Sequence, residues 1–136
     1  MTKTFCIAAL AGVLAVSAAA CSSGPGTIAS HGTVTVDYTS AADGGAGDDL
    51  SGGSQVVVVN SAGTVVGNGT LAVKSSGPGL DNIGSEDVFT FSVTVPGGLP
   101  RYGIQVGGTG HGTVWESAAQ MKSGPALTID ETTGAL

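Results

Sequence analysis

Residues 88–95 constrain the fold of this chain more than any other stretch. Their sequence, Val-Phe-Thr-Phe-Ser-Val-Thr-Val, alternates apolar and polar side chains almost without a break. Successive side chains of a β-strand point to opposite faces of the sheet, so this pattern predicts a strand that buries one face and exposes hydroxyl groups on the other. The residues predicted to be buried are Phe89, Phe91, Val93 and Val95.

Several other short stretches have strand patterns and are separated by turn residues. Strands are predicted at residues 33–38, 55–60, 64–66, 70–73, 102–106 and 113–115. Asn68-Gly69 predicts either a turn or a bulge, and long connections are expected at residues 39–54 and 74–87. Ser117 is a candidate N-cap for one helical turn, and Leu127 and Ile129 suggest an edge strand in the tail.

The composition agrees with an all-β fold. The chain of 136 residues has 24 Gly, 41% hydrophobic residues and only 10% charged residues, a balance that suits short strands joined by tight turns. We therefore predict a small antiparallel β-sandwich of immunoglobulin-like or Greek-key type. The Cys–Trp–Cys pattern of true immunoglobulin domains does not occur in the sequence.

The N-terminus has the features of an export signal. Lys3 precedes an apolar run over residues 5–20, and small residues then lead into Cys21. The sequence Ala18-Ala19-Ala20-Cys21 resembles the lipobox of bacterial lipoproteins, which implies removal of residues 1–20 and acylation, for example with palmitate, of the Cys21 sulfur. An ordinary signal peptide cut elsewhere is the alternative, and a retained membrane helix would need about 20 apolar residues.

This interpretation divides the chain into four parts. Residues 1–20 are the signal peptide, 21–31 the lipidated cysteine with a flexible Ser/Gly spacer, 32–122 the β-sandwich and 123–136 a tail. Cleavage would leave 136 − 20 = 116 residues with three basic and ten acidic side chains, a net charge of −7. Such a charge argues against a nucleic-acid partner and leaves membrane attachment to the lipid anchor. With Cys6 removed, Cys21 has no disulfide partner within the chain.

A wider resemblance covers residues 33–121. The Gly44-Gly45 and Asp48-Asp49-Leu50 segment, the Asn60-Ser61-Ala62-Gly63 turn, the Phe89-x-Phe91 strand and Tyr102-x-Ile104-x-Val106 are similar to small exported β-domain lipoproteins of actinobacteria or their phages. The resemblance implies a β-domain and export to the cell envelope, facing outward.

One loop suggests a metal site. Residues 43–53, Asp-Gly-Gly-Ala-Gly-Asp-Asp-Leu-Ser-Gly-Gly, resemble the calcium-binding nonapeptide of repeats-in-toxin proteins, with Asp43, Asp48 and Asp49 as candidate ligands. The apolar residue, Leu50, falls one place early, and only one copy of the motif is present. A solvated Gly/Asp loop is the alternative, and otherwise no cofactor is expected.

The remaining candidates are histidines and aromatic residues. His31 and His111 each lie beside glycines and are expected in exposed turns. Two histidines without further ligands are too few to form a zinc site. No nucleophile motif surrounds any serine, so we do not predict an enzyme. Trp115 is interpreted as a plug at one end of the core; if exposed, Trp115 and Tyr102 would be anchors for a binding partner.

The sequence thus predicts a lipid-anchored protein of the cell envelope that acts by binding or by occupying the surface. Its expected partners are the membrane, through the anchor, and an unidentified envelope protein, glycan or lipid. A more specific version is interference with phage adsorption or entry, as in superinfection exclusion. The alternatives are a calcium-stabilised surface module and a small secreted enzyme.

Overall fold

A computed structural model describes residues 25–38, 50–78, 85–130 and 136 of the chain. Seven strands and one helix follow in the order β1 (Thr27–Tyr38), β2 (Gln55–Val59), β3 (Val65–Pro78), β4 (Ser85–Pro96), β5 (Tyr102–Val106), β6 (Val114–Glu116), α1 (Ala118–Ser123) and β7 (Ala126–Asp130). The predicted signal peptide, the lipobox with Cys21, and the calcium candidates Asp43, Asp48 and Asp49 lie outside the described residues.

The predicted all-β class is confirmed. The strands form one sheet in the order β6-β5-β2-β3-β4-β1-β7, which curls on itself until it is nearly closed. Neighbouring strands are antiparallel except β1 and β7, which run parallel. A single hydrophobic core lies inside the curl, with side chains from both halves of the sheet.

Strand β3 joins these two halves. Its first part, Val65 to Thr70, pairs with β2, and its second part, from Leu71 to Pro78, pairs with β4. The first part no longer pairs with β4 but still passes close to its backbone. Two glycines make this approach possible: a Cβ atom on Gly67 would lie 2.8 Å from the Thr94 carbonyl oxygen, and one on Gly69 would contact the Ser92 carbonyl.

The alternation that predicts β4 is confirmed. Phe89, Phe91, Val93 and Val95 are all buried, and Ser92 and Thr94 are exposed on the opposite face. Apolar side chains of the other strands cover the same core because each strand alternates in the same way. The further core residues are Ile28, Val34, Val36, Leu50, Val56, Val58, Leu71, Tyr102, Ile104, Val106, Met121, Leu127 and Ile129.

Two predictions about connections are wrong. Asn68-Gly69 lies inside β3, not at a turn, because both residues pair with β2 opposite Val57 and Val56. The long connection predicted at residues 74–87 is largely strand, because β3 continues to Pro78 and β4 begins at Ser85. The turn between β2 and β3 is as predicted: the Asn60 side chain accepts hydrogen bonds from the Ala62 and Thr64 amides, and Gly63 has a φ of 80°.

The folded domain also extends beyond both predicted boundaries. Strand β1 begins at Thr27, within the predicted spacer, because Thr27 to His31 pair with Ser92 to Pro96 of β4. At the other end, Ser117 caps α1 through a capping box with Gln120, as its sequence suggests. The chain then forms β7, whose Leu127 and Ile129 complete the core beside β1, so the tail belongs to the fold.

The close approach of β3 to β4 yields a stability prediction. We expect Gly67→Ala to lower the free energy of unfolding by about 1–3 kcal/mol, because the new methyl group would overlap the Thr94 carbonyl and the Val93 and Val95 side chains. Urea denaturation followed by circular dichroism measures this loss. Gly110→Ala is the matched control, since its Cβ atom would meet nothing within 4 Å. Equal stability of the two variants would contradict this packing.

Candidate functional site

A depression on the described surface lies where β3 stops pairing with β4. Two adjoining hollows, of about 460 Å³ and about 330 Å³, share Asn68 and Ser92 in their walls. The opening follows from the pairing of the strands, because β4 beyond Phe91 has β1 as its partner on one side and no longer pairs with β3 on the other. We call the two hollows together the β3–β4 cleft.

Uncharged hydrogen-bonding residues line the β3–β4 cleft together with apolar residues such as Phe91 and Val93. The polar residues of the lining are Gln55, Asn68, Thr70, Thr90, Ser92, Thr94, Ser30 and His31. None of the described residues that line it is Asp, Glu, Lys or Arg. Amide and hydroxyl groups both donate and accept hydrogen bonds, so this surface suits a neutral ligand that is rich in hydroxyl or amide groups.

His31 and Ser92 form a hydrogen-bonded pair in the cleft. The residues face each other on β1 and β4, with His31 Nδ1 and Ser92 Oγ 2.8 Å apart. The predicted turn position of His31 is therefore wrong, because this histidine lies on a strand, although it is exposed as expected. Neither the periodicity nor any motif points to this pair; only the register of β1 against β4 brings the two side chains together.

The surroundings of the pair do not resemble a catalytic triad. A triad places a carboxylate against the imidazole to orient it. Of the described acids on these strands, Asp87 lies opposite Val36, five positions along β1 from His31, which corresponds to roughly 16 Å at strand spacing. Asp37 and Glu86 lie one position farther. The geometry therefore presents the His31 and Ser92 side chains as hydrogen-bonding groups, and the prediction that the protein is not an enzyme stays a prediction.

His111 lies in a turn after β5, as predicted, but it is buried and not exposed. Only 4% of its surface is exposed, and its carbonyl oxygen accepts a hydrogen bond from the Leu136 amide at 2.7 Å. The imidazole packs near Gly107, beside the buried Leu50 side chain. Within the described ranges no three His, Cys, Asp or Glu side chains come close enough together to hold a metal ion.

The two aromatic candidates have different surroundings. Tyr102 is completely buried, and its hydroxyl donates a hydrogen bond to the Pro96 carbonyl oxygen at 2.8 Å, so it lacks the exposure that an anchor for a partner requires. Trp115 is 40% exposed on the outer face of β6, so its interpretation as a core plug is wrong as well. The Arg101 guanidinium lies over the indole, with Cζ 4.3 Å from the ring centroid, a cation–π contact.

Trp115 ends a cross-strand row of residues and covers the glycine next to it. The pairing aligns Val65, Val59, Gly103 and Trp115 in that order on β3, β2, β5 and β6. The indole occupies the space above Gly103, because a Cβ atom there would lie 3.0 Å from Trp115 Cη2 and 2.9 Å from a Val59 methyl. Covering a strand glycine with a neighbouring aromatic ring stabilises the sheet and leaves the outer face of the ring in solvent.

Two buried polar atoms are left without a hydrogen bond to the described residues. They are the Ser30 hydroxyl on β1 and the Glu116 Oε2 atom at the end of β6. An unpaired buried group costs about 1–3 kcal/mol of stability. Ser30 lines one of the two hollows of the β3–β4 cleft, whereas Glu116 lines neither.

Acidic residues meet at the end of the sheet where β1 finishes. Asp37 lies between Glu86 on β4 and Asp130 on β7 in a single cross-strand row. Like charges directly opposite each other on neighbouring strands repel and destabilise the sheet. In the sequence Asp37 comes shortly before the segment that contains the calcium candidates Asp43, Asp48 and Asp49. A calcium site in this segment would therefore affect the same end of the sheet.

Comparison with known proteins gives no relative for this chain: no protein-family model, no curated protein and no solved structure matches it. In the part of the chain that the structure describes, no helix has the length and apolar character needed to span a membrane.

The acidic row yields a prediction about stability and cations. We expect Asp37→Asn to raise the free energy of unfolding by about 0.2–1 kcal/mol at low salt, because it removes one of the two negative charges that face each other at Asp37 and Glu86. The gain should shrink in 1 M NaCl, where the Debye length is about 3 Å. Urea denaturation at both salt concentrations measures it.

A bound calcium ion would reverse the expected effect of Asp37→Asn on the free energy of unfolding. In that case a chelator would lower the melting temperature of the unmodified protein, since a ligand that binds only the folded state raises it. Asp37→Asn would then destabilise the protein if the aligned carboxylates contribute to the site. Thermal denaturation with and without EDTA therefore separates simple repulsion from a calcium-stabilised module.

Proposed function

We propose that this protein is exported, held on the cell envelope by a lipid on Cys21, and acts there by binding an uncharged, hydroxyl-rich ligand such as an envelope glycan in the β3–β4 cleft. The observation that carries the binding part is the cleft itself, in which uncharged amide and hydroxyl groups line an opening where β3 no longer pairs with β4. By occupying the envelope in this way the protein would also hinder phage adsorption or entry, the more specific process expected from the sequence.

The anchoring part of the proposal rests on the sequence before the domain. Only residues 22–24 separate Cys21 from Pro25, where the described chain begins. Four Cα–Cα steps span at most about 14 Å, so an acylated Cys21 would hold the domain directly above the membrane. Two or three acyl chains give nearly irreversible attachment, because each buried methylene contributes about 0.8 kcal/mol.

The choice of ligand class follows from charge and hydrogen bonding. The residues that line the cleft carry no carboxylate, ammonium or guanidinium group, and a net charge of −7 on residues 21–136 disfavours anionic ligands. Neutral glycans present many hydroxyl groups, each of which can pair with Ser, Thr, Asn or Gln side chains. The exposed His31 imidazole adds one further hydrogen-bonding nitrogen.

The anchor is tested with the full chain expressed in an actinobacterial host beside Cys21→Ala. We expect the unmodified chain to start at Cys21, to be heavier by its acyl chains in intact-mass measurement, and to enter the detergent phase of a Triton X-114 extraction. The alanine variant, which has no sulfur to acylate, should stay in the aqueous phase or keep its signal peptide. An unacylated aqueous protein from both genes would contradict the lipid anchor.

The cleft is tested by binding of residues 21–136 to insoluble envelope polysaccharide and to a glycan array. We expect Asn68→Ala and Thr94→Val each to weaken binding roughly two- to tenfold, because one hydrogen bond contributes about 0.5–1.5 kcal/mol. Thr128→Val is the matched control, since Thr128 is equally an exposed strand threonine but lies on β7, outside the cleft. Equal losses in Thr94→Val and Thr128→Val, or no glycan binding, would contradict the proposal.

A further inference from the structure

We infer that one end of the domain docks on the bilayer surface itself, with Trp115 and Arg101 in the head-group layer. This end is the one at which β1 begins, and we call it the Thr27 end. The inference rests on the lipid anchor proposed above, and adds that the domain has a fixed membrane-facing surface and a fixed orientation.

The topology gathers the relevant residues at the Thr27 end. Because β1 and β4 are antiparallel, the start of β1 lies beside the end of β4. The register of the other strands places four more strand ends at the same level: the end of β2, the start of β3, the start of β5 and the end of β6. The turns at this end are Asn60 to Thr64 and Gly97 to Arg101.

The tether emerges from the same end. Gly97 donates a backbone hydrogen bond to the Gly26 carbonyl oxygen, and a Cβ atom on Gly98 would lie 2.6 Å from Pro25 Cβ. Pro25 is therefore packed against the turn that leads to Arg101. Since Cys21 lies within about 14 Å of Pro25 along the chain, a membrane that receives the Cys21 lipid must lie close to this turn.

The surface at this end has the chemistry of a membrane interface. Trp115 is 40% exposed and Val65 is 59% exposed, in the same cross-strand row. Tryptophan is enriched at the boundary between lipid and water, where its ring meets the acyl region and its N–H group meets water. The Arg101 guanidinium beside it can form paired hydrogen bonds with a lipid phosphate.

Most of the described acids lie at the end of the sheet away from Thr27, where Lys74 on β3 offsets part of their charge. Asp37, Glu86, Asp87 and Asp130 lie towards the end where β1 finishes, and the one described acid near the Thr27 end, Glu116, is buried. Arg101 is exposed at the Thr27 end. A negatively charged bilayer surface would attract this end and repel the other, which gives the tethered domain a preferred orientation.

Because the domain is tethered to the membrane, weak contacts between its surface and the bilayer are sufficient for docking. A short linker gives an effective local concentration in the millimolar range, so a patch that would bind vesicles poorly as a free domain can be occupied most of the time once it is anchored. The patch therefore need not resemble a large hydrophobic interface.

Trp115 is the only tryptophan of the chain, which makes the inference directly measurable. Residues 21–136 contain all described residues and a single cysteine, so Cys21 can be coupled to a maleimide phospholipid in vesicles of phosphatidylcholine and phosphatidylglycerol. We expect a blue shift of the tryptophan emission and at least twofold quenching when the vesicles contain phospholipids brominated near the head group. Arg101→Glu should abolish most of this quenching.

A relocated tryptophan supplies the matched control. The double variant with Trp115→Phe and Val73→Trp places the single indole at Val73, which is 61% exposed but lies eight residues farther along β3 from Val65. Its emission should not respond to brominated lipids. Equal quenching at both positions, or no quenching at Trp115 in protein that floats with the vesicles, would overturn the inference. A blue shift without bromine quenching, with dimers in mass photometry, would instead assign this end to a second copy of the chain and overturn it too.

The coupling step keeps this test independent of the natural anchor. Because the lipid is attached chemically, docking can succeed or fail whatever the host does to Cys21. Failure of the proposed anchor would be seen as an unacylated protein in the expression experiment, and failure of docking would be seen as an unquenched Trp115 in fully floated protein.

Discussion

The close crossing of β3 over β4 is the contact on which the rest of this structure depends. One strand has to pair with β2 over its first half and with β4 over its second, and the change of partner closes the sheet around a single core. Side chains at residues 67 and 69 would separate the two backbones, so glycine is required there for steric reasons. The described residues contain no cysteine, so pairing and packing of this kind must hold the domain together.

The same crossing creates the candidate site. Where β3 turns away, the outer face of β4 is left open, and hydroxyl and amide groups from β1, β2, β3 and β4 surround the gap. The cleft is therefore a consequence of how the sheet closes. Its walls are strands, which hold their side chains more rigidly than loops and so suit a preorganised binding surface.

The two ends of the sheet differ in a way that suits a tethered protein. The end next to the predicted anchor carries an exposed Trp115, an exposed Val65 and the Arg101 guanidinium, whereas the opposite end has acidic residues on β4, β1 and β7 in one cross-strand row. Repulsion within that row has a cost, which is small because these strand ends are solvated. An orientation with the acidic end away from an anionic membrane follows from simple electrostatics.

The sequence by itself determined the strands that alternate most clearly, the Ser117 cap and the all-β class, because period-two alternation and capping are local properties. It also suggested the lipid anchor, which depends on a short linear motif. Only the tertiary structure decided that Asn68-Gly69 continues a strand, that Tyr102 is buried while Trp115 is exposed, and that His31 meets Ser92. These facts depend on register between strands distant in sequence, and a turn signal or an aromatic residue carries no information about the partner that will cover it.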